Sequence, residues 1–187
     1  MAFELPQGES LAGLVLAASS ALLDPNFCRT VVYIAEHGPD GALGLVMNRP
    51  IDKKLGEVAL APDLPEALRD MLVFQGGPVN PTALVLARFQ RGTNDEELHC
   101  RIAADPQQFL DAPKQGWIRA FAGYAGWSGG QIEKELDEHS WIVCRPHTAM
   151  LDVPVPSTLW EAFVGEDQRW RKLLPLLPKL PDRIENC

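Results

Sequence analysis

The residues whose types and spacing could do chemistry are Gly126-Trp127-Ser128-Gly129-Gly130, a G-x-S-x-G stretch between a predicted strand and a predicted helix. A nucleophile elbow uses that context to hold its serine on a strained turn, with the next backbone N–H helping to hold an oxyanion. The rest of a triad would come from Asp137 or Asp152 with His139 or His147. Asp137 and His139 lie close together after the helix, and His147 precedes Asp152, the reverse of the acid-then-histidine order. A structural role competes with this chemistry. Ser128 and Gln131 have capping-box spacing, in which the serine hydroxyl accepts from first-turn N–H groups and the glutamine reaches back. Capping is the favoured expectation, so Ser128 stands as a candidate and no catalytic residue is assigned.

Other chemistries find less. His37, His99, His139 and His147 have no i, i+4 partner, and Glu36-His37 is not part of an H-E-x-x-H, so no metal site is expected. No cofactor is expected either. Gly76-Gly77-Pro78 could form a nest of backbone N–H groups for an anion, and Gly129-Gly130 could form another at a helix start. Neither is a phosphate-binding loop of known pattern, and glycines also serve where backbones approach closely. A polar set, Asp24, Arg29, Glu36, His37, Asn48 and Arg49, flanks an apolar hairpin. Its architectural reading has Asp24-Pro25 capping a turn and Arg29 or Arg49 pairing with Asp24 or Glu36. Its functional reading has the same groups rimming a binding cleft. The architectural reading is preferred, because strand ends need such partners. The 5 tryptophans are expected to anchor helices to the sheet.

The hairpin positions all of this. An apolar run Thr30 to Ala35, a turn Gly38-Pro39-Asp40-Gly41 and a second run Ala42 to Met47 form two strands apolar on both faces, so neither face can be left to water. Pairing His37 with Ala42 would set Thr30 opposite Arg49. Further strands are expected at Leu14 to Ala18, Leu72 to Gln75, Thr82 to Arg88, Glu97 to Ile102, Ile118 to Gly123 and Trp141 to Cys144. Helices are expected over Lys54 to Ala59, Leu64 to Met71 and Asp105 to Ala112, from Ser128 through Leu136, from a Thr158/Glu161 capping box to Val164, and after Asp167. The uneven order of strands and helices favours an α+β fold.

Composition bounds the function. The chain has 187 residues, 46% hydrophobic and 22% charged, which suits one soluble globular domain over the full length, 1–187. A formal net charge of -8 repels phosphate backbones and anionic membranes, so direct DNA binding is not expected. Cys28, Cys100, Cys144 and Cys187 show no paired spacing, no basic residue precedes Arg29, and no apolar run reaches membrane length. A reduced, cytoplasmic protein away from membranes is the expectation.

Three stretches occur in a specific order: DPNFCRTVVYIAEHGPDGALGLVMNRP (Asp24 to Pro50), QGGPV (Gln75 to Val79) and GYAGWSGGQIEKEL (Gly123 to Leu136). Together they resemble the AlgH/YqgE-like family of bacterial proteins, with the likeness running from about Leu14 to about Gly165. The resemblance implies a single α+β domain with a mixed or barrel-like sheet surrounded by helices. It brings no established activity, although some members are labelled transcriptional regulators. In that family the glycines, Trp127 and Gln131 make the third motif and the serine is not required. The resulting expectation is a non-enzymatic binding or regulatory domain with a protein or small anionic partner. A Ser128 hydrolase and a transcriptional regulator are the alternatives. The candidate binding residues are Asp24, Arg29, Glu36, His37, Asn48, Arg49, Gly76, Gly77, Trp127 and Gln131.

Overall fold

The hairpin lies in the interior of the sheet. In the computed structural model, which describes residues 10–58, 64–94, 97–103 and 116–164, it forms β2 (Val31–Gly38) and β3 (Gly41–Val46). β1 (Val15–Ala18) pairs with β2, and β9 (Trp141–Cys144) pairs with β1. On the other side, β3 pairs with the second half of β8 (Trp117–Ser128), a long strand that reaches the sheet's other region. The first half of β8 is flanked by β5 (Leu72–Gln75), its parallel neighbour, and by β6 (Val79–Arg91). β4 (Pro50–Lys54) lies beyond β5, and β7 (Leu98–Ala103) lies beyond β6. The sheet is therefore mixed, and it curls into a half-barrel.

Alternation along the strands builds two cores, one on each face. Val15, Ala17, Val31, Tyr33 and Leu45 point into the inner cluster with Phe74, Phe89 and Phe121. Leu16, Ala18, Val32, Ile34 and Val46 point outward, under Trp127, Trp141 and Ile132. A third cluster under Leu55, Leu64 and Leu68 covers the β5 side. Edge-to-face contacts between Tyr33 and Phe89, at 5.2 Å, and between Phe89 and Phe121, at 6.5 Å, fill the inner core with ring area.

The sequence placed β1, β2 and β3 well, did not foresee β4, and underestimated β6 and β8, which run past their expected ends. The expected enclosure by helices is corrected. The described α-helices are α1 (Leu55–Val58), α2 (Glu66–Arg69), α3 (Gln131–Asp137) and α4 (Leu159–Val164), each too short to wrap a sheet of this size. Curling lets the inner face bury much of itself, so patches of helix and two 3-10 turns, Thr148–Leu151 and Pro156–Thr158, suffice elsewhere. The helices expected at Asp105 to Ala112 and after Asp167 lie outside the described residues. No described helix is long and apolar enough to cross a membrane.

Candidate functional site

At the far end of the hairpin the polar groups gather as expected, with different partners. His37 does pair with Ala42, but a β-bulge between Ile34 and Glu36 inserts Ala35 and slips the register by one residue, so Val32 faces Val46. Asn48, not Arg49, therefore comes level with Thr30. Its side chain extends the ladder: Oδ1 accepts from Val31 N–H at 2.9 Å, and Nδ2 donates to the Arg29 carbonyl at 2.9 Å. Asn48 is 4% exposed, so both of these bonds replace water.

Asp24 opens a tight turn as the architectural reading requires. Its Oδ1 accepts from Asn26 N–H, and its carbonyl accepts from Phe27 and Cys28 N–H. The expected pairing of Asp24 with an arginine does not form. Arg49 instead donates to three carbonyls at the end of that turn, those of Asn26 (2.8 Å), Cys28 (3.0 Å) and Pro25 (3.2 Å). Carbonyls left over where a helical turn stops need donors, and a planar guanidinium supplies several at once. Arg29 follows the turn with φ 56, in the left-handed region. Its guanidinium lies 4.7 Å from the centre of the Trp160 ring and pairs with Glu161, yet its side chain remains 59% exposed.

That use of Glu161 overturns the expected capping box at Thr158. The Thr158 hydroxyl donates to Val155 O, and Glu161 is turned to Arg29. Trp160 anchors α4 to the sheet by donating to Ala18 O at 2.8 Å.

The glycine pair Gly76-Gly77 lies where the chain leaves β5, passes across β8 and enters β6. Gly76 N–H donates to Ala122 O, and its carbonyl accepts from Val46 N–H. A Cβ on Gly76 would sit 2.2 Å from Gly123 O, and one on Gly77, with φ 153, would sit 2.2 Å from the Tyr124 carbonyl carbon. Close backbone crossing accounts for both glycines. Gln75 N–H donates to Arg49 O, so this crossing adjoins the Arg49 end of the hairpin.

The opposite end holds the rest. β8 runs through Gly126 and Trp127 to Ser128, which lies opposite Gly41, and the N-cap of α3 is Gly130 with φ 75. The expectation that Ser128 caps the helix is thus corrected: two more residues separate it from the first turn. Half of the capping-box pattern survives, since Gln131 Oε1 accepts from Ser128 N–H at 3.0 Å. Ser128 is exposed, and among the described residues no histidine hydrogen-bonds to its hydroxyl. His37 uses one nitrogen on Leu11 N–H and the other on Glu133, and His147 Nδ1 accepts from Ala149 N–H. No cluster of three metal-ligating side chains occurs among the described residues. Glu36 lies on β2 beside His37, and its charge, after burial, is the second cause that pushes the Cys100 thiol up to about 12.

Two residues that sequence reasoning passed over organise the interior. Glu135 Oε2 accepts from both indoles, Trp127 at 2.9 Å and Trp141 at 2.8 Å, while Oε1 accepts from Gln131 Nε2 at 2.9 Å. The i, i+4 spacing of Gln131 and Glu135 was visible, but nothing in the sequence aimed either at the tryptophans. Arg119 is 7% exposed, donates to the carbonyls of Met47, Met150 and Leu151, and lies over Phe74 at 4.7 Å. Burial lowers its pKa to about 10. It makes no ion pair within the described residues.

The geometry agrees with the comparisons. The AlgH-like (DUF179) family profile matches residues 14–169. The chain belongs to the AlgH-like family. A UPF0301 protein of Streptomyces coelicolor is 38% identical over 186 residues, covering 92% of this chain and 93% of its own length. A UPF0301 protein of Nocardia farcinica is 42% identical over 149 residues, covering 71% of this chain and 66% of its own length. The solution structure of the AlgH protein from Pseudomonas aeruginosa superposes with TM-score 0.63 at 30% identity, over 86% of this chain and 90% of that one. A crystal structure of a Corynebacterium diphtheriae protein shares the fold with TM-score 0.59 at 20% identity, over 83% of this chain and 94% of that one. The AlgH-like motifs named from sequence are thus the turn-and-hairpin, the β5-to-β6 crossing, and the strand-to-helix corner carrying Trp127, Gln131 and Glu135.

Proposed function

We propose that this AlgH-like domain acts by binding, and that Arg29 presents a positive charge to a carboxylate or phosphate on a small anion or protein partner. One observation carries the reading. Among the arginines of the hairpin end, Arg49 is consumed by backbone carbonyls, whereas Arg29 is 59% exposed and oriented by Trp160 and Glu161. A residue other than glycine held at positive φ costs energy that the surroundings must offset, and such residues concentrate at ligand clamps. Stacking on an aromatic face fixes the plane of the guanidinium, and the N–H groups that Glu161 does not engage are left to donate to an anion. The net charge of -8 makes a single oriented cation, in place of a broad basic face, the route to an anionic group. The test is a two-dimensional NMR titration with inorganic phosphate and with an acidic peptide. Saturable shifts centred on Arg29, Trp160 and Glu161 are expected, and Arg29→Gln should remove them at unchanged thermal stability. Shifts that are absent, or that survive Arg29→Gln, would sink the proposal.

A further inference from the structure

His37 joins three separate parts of the chain. Its Nδ1 accepts from Leu11 N–H at 3.1 Å, its Nε2 lies 2.9 Å from Glu133 Oε1 on α3, and its carbonyl accepts from the Ser10 hydroxyl at 3.1 Å. The side chain is only 9% exposed. An imidazole that accepts at Nδ1 must be neutral there, with its hydrogen on Nε2 facing the carboxylate. The tautomer is therefore dictated by the network.

We propose that His37 is a pH-responsive latch, which while neutral holds residues 10–14 against the sheet and releases them when a second proton arrives. A proton on Nδ1 turns the acceptor of Leu11 N–H into a donor, so two donors face one another across the hydrogen bond. Of the elements packed on the ring, α3 brings Glu133, which holds Nε2–H whether or not Nδ1 is protonated. Ser10 to Leu14 and the paired Ala42 bring no titratable side chain. On the hairpin itself, Glu36 acts on Cys100 in the inner core, and Asp40 occupies the turn. The conflict thus falls on the Leu11 bond. Leu11 is 1% exposed and belongs to the outer cluster with Ile34, Trp127 and Ile132, and Gly13 N–H donates to Ile34 O. Unlatching therefore uncovers apolar surface beside the Trp127 corner and frees an edge of β2.

Amide hydrogen exchange at Leu11 and Gly13, corrected for intrinsic rates and followed from pH 8 to pH 5, reads the latch directly, with imidazole 15N shifts reporting the state of His37. Protection in the wild-type chain should fall about tenfold or more as the ring becomes protonated, while core amides hold theirs. His37→Asn puts a non-titrating carbonyl oxygen near the place of Nδ1, and it should keep the Leu11 protection nearly constant across the same range. Three results would overturn the idea: protection that persists while the ring titrates, a ring that stays neutral until the whole domain unfolds, or equal loss in the wild-type and His37→Asn chains.

Discussion

At the residue scale, the third motif's glutamate outweighs its serine. Removing the Glu135 side chain strands two indole N–H groups on tryptophans that are 6% and 5% exposed, and each buried orphan donor costs about 1–3 kcal/mol. Glu135→Ala should therefore destabilise the domain by about 3 kcal/mol or more and change the near-ultraviolet tryptophan signal. Ser128→Ala, at an exposed strand end that caps nothing, should stay within about 0.5 kcal/mol in the same denaturation experiment. Cys100 supplies a pH signature. Burial and then the Glu36 charge raise its thiol from 9.0 to about 12, so the unfolded chain ionises first. The stability it contributes is whole below pH 9 and drains as pH rises toward 12. Tyr33, raised mainly by burial, acts with the same sign. Urea midpoints should fall between pH 8.5 and 9.5, below the pKa of about 10 at which half of Arg119 is neutral, in the wild-type chain and fall less in Cys100→Ala.

At the element scale, the crossing of β5 to β6 over β8 is the least forgiving feature. Gly77→Ala drives a methyl to 2.2 Å from the Tyr124 backbone, which no side-chain rotation relieves, so the variant should fail to give a cooperative unfolding transition. Gly126 sits in the same strand, but a Cβ there meets its nearest atom, on the Tyr124 ring, at 3.5 Å, an ordinary contact. Gly126→Ala should fold with a midpoint close to wild type. The pair separates a topological need for glycine from its presence in a motif. The hairpin end behaves likewise: Arg49 bonds three carbonyls of the Asp24 turn, whereas the Asp24 carboxylate accepts a single backbone N–H, so Arg49 carries the larger share of its stability.

At the scale of the whole molecule, the charge of -8 governs which partners can approach. DNA affinity without local basic clustering rests on phosphate neutralisation and is weak even for basic proteins at physiological salt, about 10⁻⁴–10⁻⁶ M. Fluorescence anisotropy with a labelled duplex should therefore show no salt-dependent binding tighter than that range, and submicromolar binding would revive a direct regulatory role on DNA.

Most strand positions, β4 excepted, the hairpin pairing of His37 with Ala42 and the α+β class were legible in the sequence, because alternation and turn chemistry act over neighbouring residues. The polar hairpin end was legible as a cluster and illegible in its pairings. One bulged residue, Ala35, moved Asn48 into the place expected of Arg49, and a bulge costs too little locally to announce itself. Likewise Ser128 carried every local sign of a helix cap, yet β8 continued through it because β3 offered a ladder partner as far as Gly41. The roles of Arg119 and the exposed Arg29 depend on contacts with residues far along the chain, Leu151 and Glu161, and that of Glu135 on two indoles brought together from the strands before and after its helix. Only the tertiary structure decides these, since which long side chain meets which carbonyl or ring is set by how the sheet curls and no local preference encodes it.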